Sequence, residues 1–363
     1  MSLFNKNFGR LGMPKTPKPE SQKQPAPVDF TKRNDRVERY LKKYASRYVF
    51  DRFSEEYLKR GGLYFMRDVP VPLREEDLAA FRSQKGLSAM HIGENMACVM
   101  GASPTFPHTG SYIEFLRRGM SDRAAAGLVK AAKNAAEREE YDEACIRFRA
   151  ALCLAPQDLA AMYGYARVCR AMYLASEDGE YIGRFKAEAL EYFELTTEAH
   201  PRFPMAYYYL GYAYLNMGLY QKARLTWKGY LEHSSHPKDR REIKERIRQI
   251  ADPIEIERGC NAVLAGRFAE GIAVLEPYLS SRYNDWWPLY YYLGAAYAGS
   301  DRKDEALDMF KRALKLNPSH VESMKELADI YEIDKKAELS AKYRAKAALI
   351  ESGGHAHRSE NDE

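Results

Sequence analysis

Between Trp287 and His320 the chain reads WPLYYYLGAAYAGSDRKDEALDMFKRALKLNPSH, a spacing that predicts two helices folded back on each other. Tyr290, Leu293, Gly294 and Tyr297 recur on one face of a first helix, and Ala306, Phe310 and Ala313 do so on a second. Ser300-Asp301-Arg302 separates the two helices. Asn317-Pro318 ends the second, because proline lacks a backbone donor and restricts the residue before it. Gly294 and Ala306 permit a close approach, and Tyr290, Tyr297 and Phe310 fill the space around it. Such a hairpin buries its apolar face only against neighbours like itself, so further copies are expected.

The register of aromatic, Leu-Gly, aromatic, Ala, aromatic and Pro closely resembles the tetratricopeptide repeat, a unit of about 34 residues. The resemblance implies an all-α protein, a right-handed superhelix of helical hairpins, and a binding scaffold with no partner specified. Further copies extend it over residues 122–352. The first has Leu128, Ala131, Ala132 and Ala135, then Tyr141, Ala144, Phe148, Ala151 and Pro156. A second starts at Leu159, with Met162, Tyr165 and Ala166, and resumes at Ala189, Phe193 and Pro201 after an insertion of about 11 residues around Ser176–Gly179. A third has Tyr207, Leu210, Gly211, Tyr214, Ala223 and Trp227. An extra helix with a narrow stripe of Ile243, Ile247 and Ile250 follows, then a degenerate copy over 252–285 in which Arg258 stands where leucine is expected. Met324, Leu327, Ala328, Tyr331 and Tyr343 open a last, capping copy, for about six hairpins in all.

The remaining segments read differently. Residues 1–30 carry five prolines among Lys, Gln and Ser, too little apolar surface to offset ordering entropy, and form a disordered leader. Residues 31–121 do not match the repeat and are expected as a separate, mostly helical N-terminal domain. A helix is expected from about 34 to 60, with Val37, Tyr40, Leu41, Tyr44, Tyr48, Phe53 and Tyr57 on its apolar face and Gly61-Gly62 as its stop. Leu63–Met66 reads as a short strand and Asp68–Pro72 as an extended connector, with helices expected over 75–83, 88–100 and 110–119. Residues 353–363 form a polar, disordered tail. Leu78–Arg82, Lys85–Ser88 and Met96–Gly101 also resemble the opening of a bacterial helix-turn-helix DNA-binding domain, which implies an alternative function as a peptide-responsive transcription regulator. Against it, Pro104, Phe106, Pro107 and Gly110 interrupt the place of a recognition helix, and residues 74–124 balance 6 basic against 6 acidic residues.

Charge and chemistry narrow the function further. Net charge is +5, yet residues 1–62 alone hold 15 Lys and Arg against 7 Asp and Glu, so the rest of the chain is slightly acidic. That basic excess reads either as a solvated leader with a salt-bridged helix face or as a contact for an acidic partner, nucleic acid or lipid headgroups. No run is long and apolar enough for a membrane span or a secretory signal, so a cytoplasmic place is expected. Five cysteines, at 98, 145, 153, 169 and 260, form no CxxC pair and read as reduced packing residues. His91, Cys98 and His108 lack a metal-ligand spacing. With no phosphate loop, G-x-S-x-G elbow or HExxH, the chain is expected to be no enzyme and to need no cofactor or metal.

Helix geometry locates the expected binding face. In the third copy Met205, Tyr208, Tyr212 and Leu215 lie about a third of a turn from the packing residues, at 100° per residue. The family resemblance assigns that second face to the concave groove. The same offset selects Lys133, then Tyr163, Arg167 and Arg170, then Tyr208 and Tyr212, then Tyr291, and last Glu322, Asp329 and Glu332. A protein or peptide partner with an acidic portion and apolar side chains fits this series, with the tyrosines open to a second reading as helix packing. On the binding reading, Tyr212→Ala and Arg167→Glu weaken capture and leave the melting temperature nearly unchanged. A branch of the family grips chaperone tails with Lys and Asn clamps. Val129, Lys133, Gly164, Met205 and Tyr209 hold those positions here, and only Lys133 suits that role.

Overall fold

The structure is a computed structural model that describes residues 29–83, 86–120 and 123–359. The expected leader, apart from Asp29 and Phe30, and tail residues 360–363 lie outside the described residues. In chain order the helices are α1 (Glu38–Leu41), α2 (Glu55–Gly61), α3 (Leu78–Arg82), α4 (Ala89–Ala102) and α5 (Thr109–Met120). The hairpins follow: α6 (Arg123–Glu137) with α7 (Tyr141–Leu154), α8 (Leu159–Leu174) with α9 (Gly179–Ala199), and α10 (Pro204–Asn216) with α11 (Tyr220–His233). After the single helix α12 (Pro237–Gln249) come α13 (Ala251–Leu264) with α14 (Phe268–Leu275), α15 (Trp287–Ala298) with α16 (Lys303–Leu316), and α17 (Val321–Ile333) with α18 (Ala337–Ser359). Among the described residues the fold is an all-α helical repeat, apart from one small antiparallel pair, β1 (Val49–Asp51) and β2 (Val71–Leu73), in the N-terminal region. The described residues divide into two compact units: those up to 213 together with 226–235, and 214–225 together with those from 236 onward.

Within each hairpin the small residues sit under rings. A Cβ on Gly294 would lie 2.8 Å from the Phe310 ring, and one on Gly211 would lie 2.2 Å from Nε1 of Trp227. The turns repeat as well, since Glu139, Gly218, Gly266, Asp301 and Lys335 all take left-handed backbone between paired helices. Side chains tolerate that conformation poorly, so three non-glycine turns are held by the packing on either side. In the degenerate copy Arg258 is exposed and pairs with Glu255 and Glu270, while Ile256, Gly259 and Cys260 fill the core.

The region before the repeats departs from expectation. The single helix expected from 34 to 60 is instead α1, a 3₁₀ segment Lys42–Arg47, β1 and α2, because Val49–Asp51 pairs with Val71–Leu73 around Pro72. Ser54 caps α2 by accepting from the Tyr57 amide, and Gly62, at φ 63°, ends it. Leu63–Met66, expected as a strand, contains the 3₁₀ turn Tyr64–Met66. At the other end α18 runs through Ser359, so residues 353–359 of the expected tail are helical. The helix-turn-helix resemblance meets a packed surface: α4 is buried along Ile92, Met96, Val99 and Met100, and Gly101 lies against the Ile146 carbonyl of α7.

What holds this region to the repeats is a set of buried charges. Arg149 of α7, 0% exposed, binds both carboxylate oxygens of Asp35 and donates from Nε to the Gly101 carbonyl at 2.7 Å. Asp35 also accepts from the Val37 and Glu38 amides. Burial pushes the Asp35 carboxyl up, but the Arg149 guanidinium outweighs it and holds the group below its ordinary value. The insertion lengthens α9 to 21 residues, and side chains from Arg33 to Tyr40 pack along it. Tyr40 packs on Tyr181 and Phe185 at 4.9 and 5.7 Å, Arg39 meets Glu180 at 2.6 Å, and Arg33 meets the buried Glu188 at 2.8 Å. Arg33, Arg36 and Arg39 are thereby matched by acids of α9 within the chain. Phe30, expected in the leader, is buried against Tyr165 and Tyr192, both at 5.7 Å.

Two measurements follow from this packing. Asp35→Ala strands the Arg149 charge and is expected to destabilise the N-terminal unit by about 3–5 kcal/mol in urea unfolding, with the double change Asp35→Leu, Arg149→Met recovering most of it. Because the Asp35 value is depressed on folding, its contribution is present above the unfolded value of 3.8 and is lost as pH falls below it. Gly211→Ala should cost about 1–3 kcal/mol by the same assay, since Trp227 must shift to admit the methyl.

Candidate functional site

Asp158 caps α8 by accepting from the Ala161 amide, and the helix then presents Tyr163, Arg167 and Arg170 at spacings of four and three. Helix α10 carries Tyr207, Tyr208 and Tyr209 in succession, so these rings point to different sides. Tyr209 reaches the α8 residues. Its ring stacks on Phe193 at 5.6 Å and 14°, and stands 6.2 Å from Tyr163. Phe203 meets Tyr163 edge-on at 4.9 Å.

Both arginines lie over this aromatic floor. The Arg167 guanidinium is 5.0 Å from the Tyr209 centroid and 5.8 Å from that of Tyr163, and Arg170 is 5.4 Å from Tyr209. Arg167 also donates to the Tyr163 hydroxyl at 3.5 Å, and burial raises the Tyr163 phenol above its ordinary value. Among the described residues, neither arginine has a carboxylate within 4.0 Å. Rings orient a guanidinium without neutralising it, so the charge stays available to an incoming carboxylate, for which the planar fork is suited.

Of the expected groove residues in the first unit, the structure brings together Tyr163, Arg167 and Arg170. Lys133 is exposed on α6, and no side-chain bond or ring contact joins it to them. Tyr208 and Tyr212 are half-buried and pack within their hairpin: Tyr208 lies 5.2 Å from Tyr212 and 5.6 Å from Tyr230, and Tyr212 meets Trp227 at 5.0 Å. Tyr291 belongs to the second unit and packs on Phe310 and His320. Tyr209 is the residue the binding-face reading left out. Its signal was the run of three tyrosines, of which one must point toward the preceding hairpin.

Family models of the tetratricopeptide repeat match residues 287–320 and 192–225. The chain carries tetratricopeptide repeats. The first match is the hairpin α15–α16, while the second runs from within α9 through α10 into α11, a change of phase within the same repeating pattern. As a repeat protein of this kind it is, in general terms, a protein-interaction scaffold. Among solved structures the chain is similar to the repeat domain of P58(IPK), at 19% identity over 62% of this chain and 60% of that one, with a TM-score of 0.35. It is also similar to YrrB, described as a repeat protein with an unusual peptide-binding site, at 18% identity over 55% and 90% and a TM-score of 0.30. MamA from Desulfovibrio magneticus RS-1 shares 14% identity over 64% and 98%, with a TM-score of 0.26. No curated protein sequence matches the chain. Among the described residues no helix is long and apolar enough to cross a membrane.

The packing separates the tyrosines by their effect on stability, and it revises the expectation that Tyr212 can be removed without cost. Tyr212→Ala opens a gap beside Trp227 and is expected to destabilise the repeat protein by about 1–3 kcal/mol, against roughly 0.5 or less for Arg167→Ala, in urea unfolding followed by circular dichroism.

Proposed function

We propose that this protein is a non-enzymatic scaffold or adaptor whose α8–α10 face captures a partner segment carrying a carboxylate beside an apolar or aromatic side chain. The observation that carries the reading is the position of Arg167 and Arg170 over Tyr209 and Tyr163 with no carboxylate of their own. An acidic side chain entering there gains two guanidinium partners, and an adjacent apolar side chain gains contact with the half-buried rings of Tyr163 and Tyr209. Lys133, Tyr208, Tyr212 and Tyr291 remain groove residues by position in the repeat, with the last three also serving their own hairpins.

Affinity capture with quantitative mass spectrometry tests the reading on the whole chain. Arg167→Glu with Arg170→Glu is expected to deplete the wild-type partners by at least about 10-fold, the consequence of turning two attractive pairs into repulsive ones. Capture should also weaken as salt rises, with the melting temperature nearly unchanged. Retention of the same partners by the double variant would overturn the assignment of this face.

A further inference from the structure

The second unit holds a differently charged face on the corresponding helices. Trp287 and Tyr291 stand one turn apart on α15, and Glu322 and Glu326 stand one turn apart on α17. His320, the N-cap of α17, joins the two rows. Its ring lies 4.2 Å from Trp287 and 4.8 Å from Tyr291, its Nδ1 accepts from the Ser323 amide, and its Nε2 is 3.3 Å from the Glu322 carboxylate. Only 11% of the His320 side chain is exposed, so it braces the rings while Trp287 and Tyr291 stay half-buried.

The neighbouring charges sort into spent and unspent. Arg344 of α18 takes Asp329 at 3.0 Å and also binds Glu332, and Lys325 takes Glu351 at 2.7 Å. Two acidic positions expected in the groove are thus already matched within the chain. Glu326 is half-buried and, among the described residues, has no cationic side chain within 4.0 Å. Burial, with Asp329 adding to it, raises the Glu326 carboxyl, and Glu326 and Glu322 together raise the burial-shifted Tyr291 phenol. The carboxylates and the tyrosine therefore share one field.

We infer that Trp287, Tyr291, Glu322 and Glu326 form a docking site for a lysine-bearing segment of a protein partner. An ammonium over the ring faces is attracted by their quadrupoles, and the same charge supplies the counter-ion that Glu326 lacks. A basic occupant alone answers both features, since an apolar one would leave Glu326 uncompensated and an acidic one would be repelled. The site shares no residue with the Arg167 and Arg170 face, so either assignment can fail without the other.

Fluorescence anisotropy on the whole chain tests it, with a fluorescein-labelled peptide of alternating glycine and lysine and the same peptide with every lysine acetylated. Acetylation is expected to weaken binding by at least about 10-fold, and Glu322→Gln with Glu326→Gln by a similar factor, as loss of about 1.4 kcal/mol requires. Removing two exposed acids of α16, by Asp304→Asn with Asp308→Asn, should leave the affinity within about 2-fold, as screened surface charges do. Equal binding of the acetylated peptide would assign the face to an apolar occupant and overturn the proposal. So would an equal loss with the α16 variant, which means diffuse attraction, or self-association of the chain abolished by the Gln pair, which means a second copy.

Discussion

A glycine lying under an aromatic ring sets the spacing of the better-formed hairpins. Where Gly211 meets Trp227 and Gly294 meets Phe310, the missing Cβ lets two helices approach closely enough for the ring to be wholly buried between them. Burying a ring of that size contributes on the order of 2–3 kcal/mol per hairpin, far more than helix propensity adds over the same residues. The side chains a third of a turn away are consequently held at repeating positions. Those positions carry the charged and aromatic faces on α8–α10 and on α15–α17.

The region before the repeats is attached by another kind of interaction. Charges buried as deeply as Arg149, Asp35 and Glu188 offer little net stabilisation over apolar substitutes, because desolvation offsets most of their attraction. They are, however, selective. Arg149 is satisfied only when Asp35 and the Gly101 carbonyl are both in place, so the N-terminal segment has one docked position rather than a range of them. The added turns of α9 serve the same end, because Glu180, Tyr181 and Phe185 lie in the part of the helix lengthened by the insertion.

Pairing also decides which surface charges remain for a partner. Arg33, Arg36 and Arg39 look as available in the sequence as Arg167 and Arg170, yet they are matched by Glu188, Glu191 and Glu180. Asp329 and Glu332 look as available as Glu326, yet Arg344 holds them both. The two faces thus emerge only after the matched charges are removed, one cationic over tyrosines and the other anionic beside Trp287 and Tyr291.

The sequence by itself determined the repeat: spacings of three and four, a Leu-Gly pair and a proline after the second helix are local signals, and backbone geometry reads them over a single hairpin. It also determined the face on which Tyr163, Arg167 and Arg170 lie, since that follows from 100° per residue. Only the tertiary structure decided that residues 34–60 are broken by a strand, because β1 forms by pairing with residues about twenty positions away. Only it decided that Tyr209 joins the arginines while Tyr212 turns toward Trp227, since successive residues on a helix point to different neighbours. The destination of each charge was likewise hidden, because ion pairs such as Arg33 with Glu188 join positions some 155 residues apart that no periodicity connects.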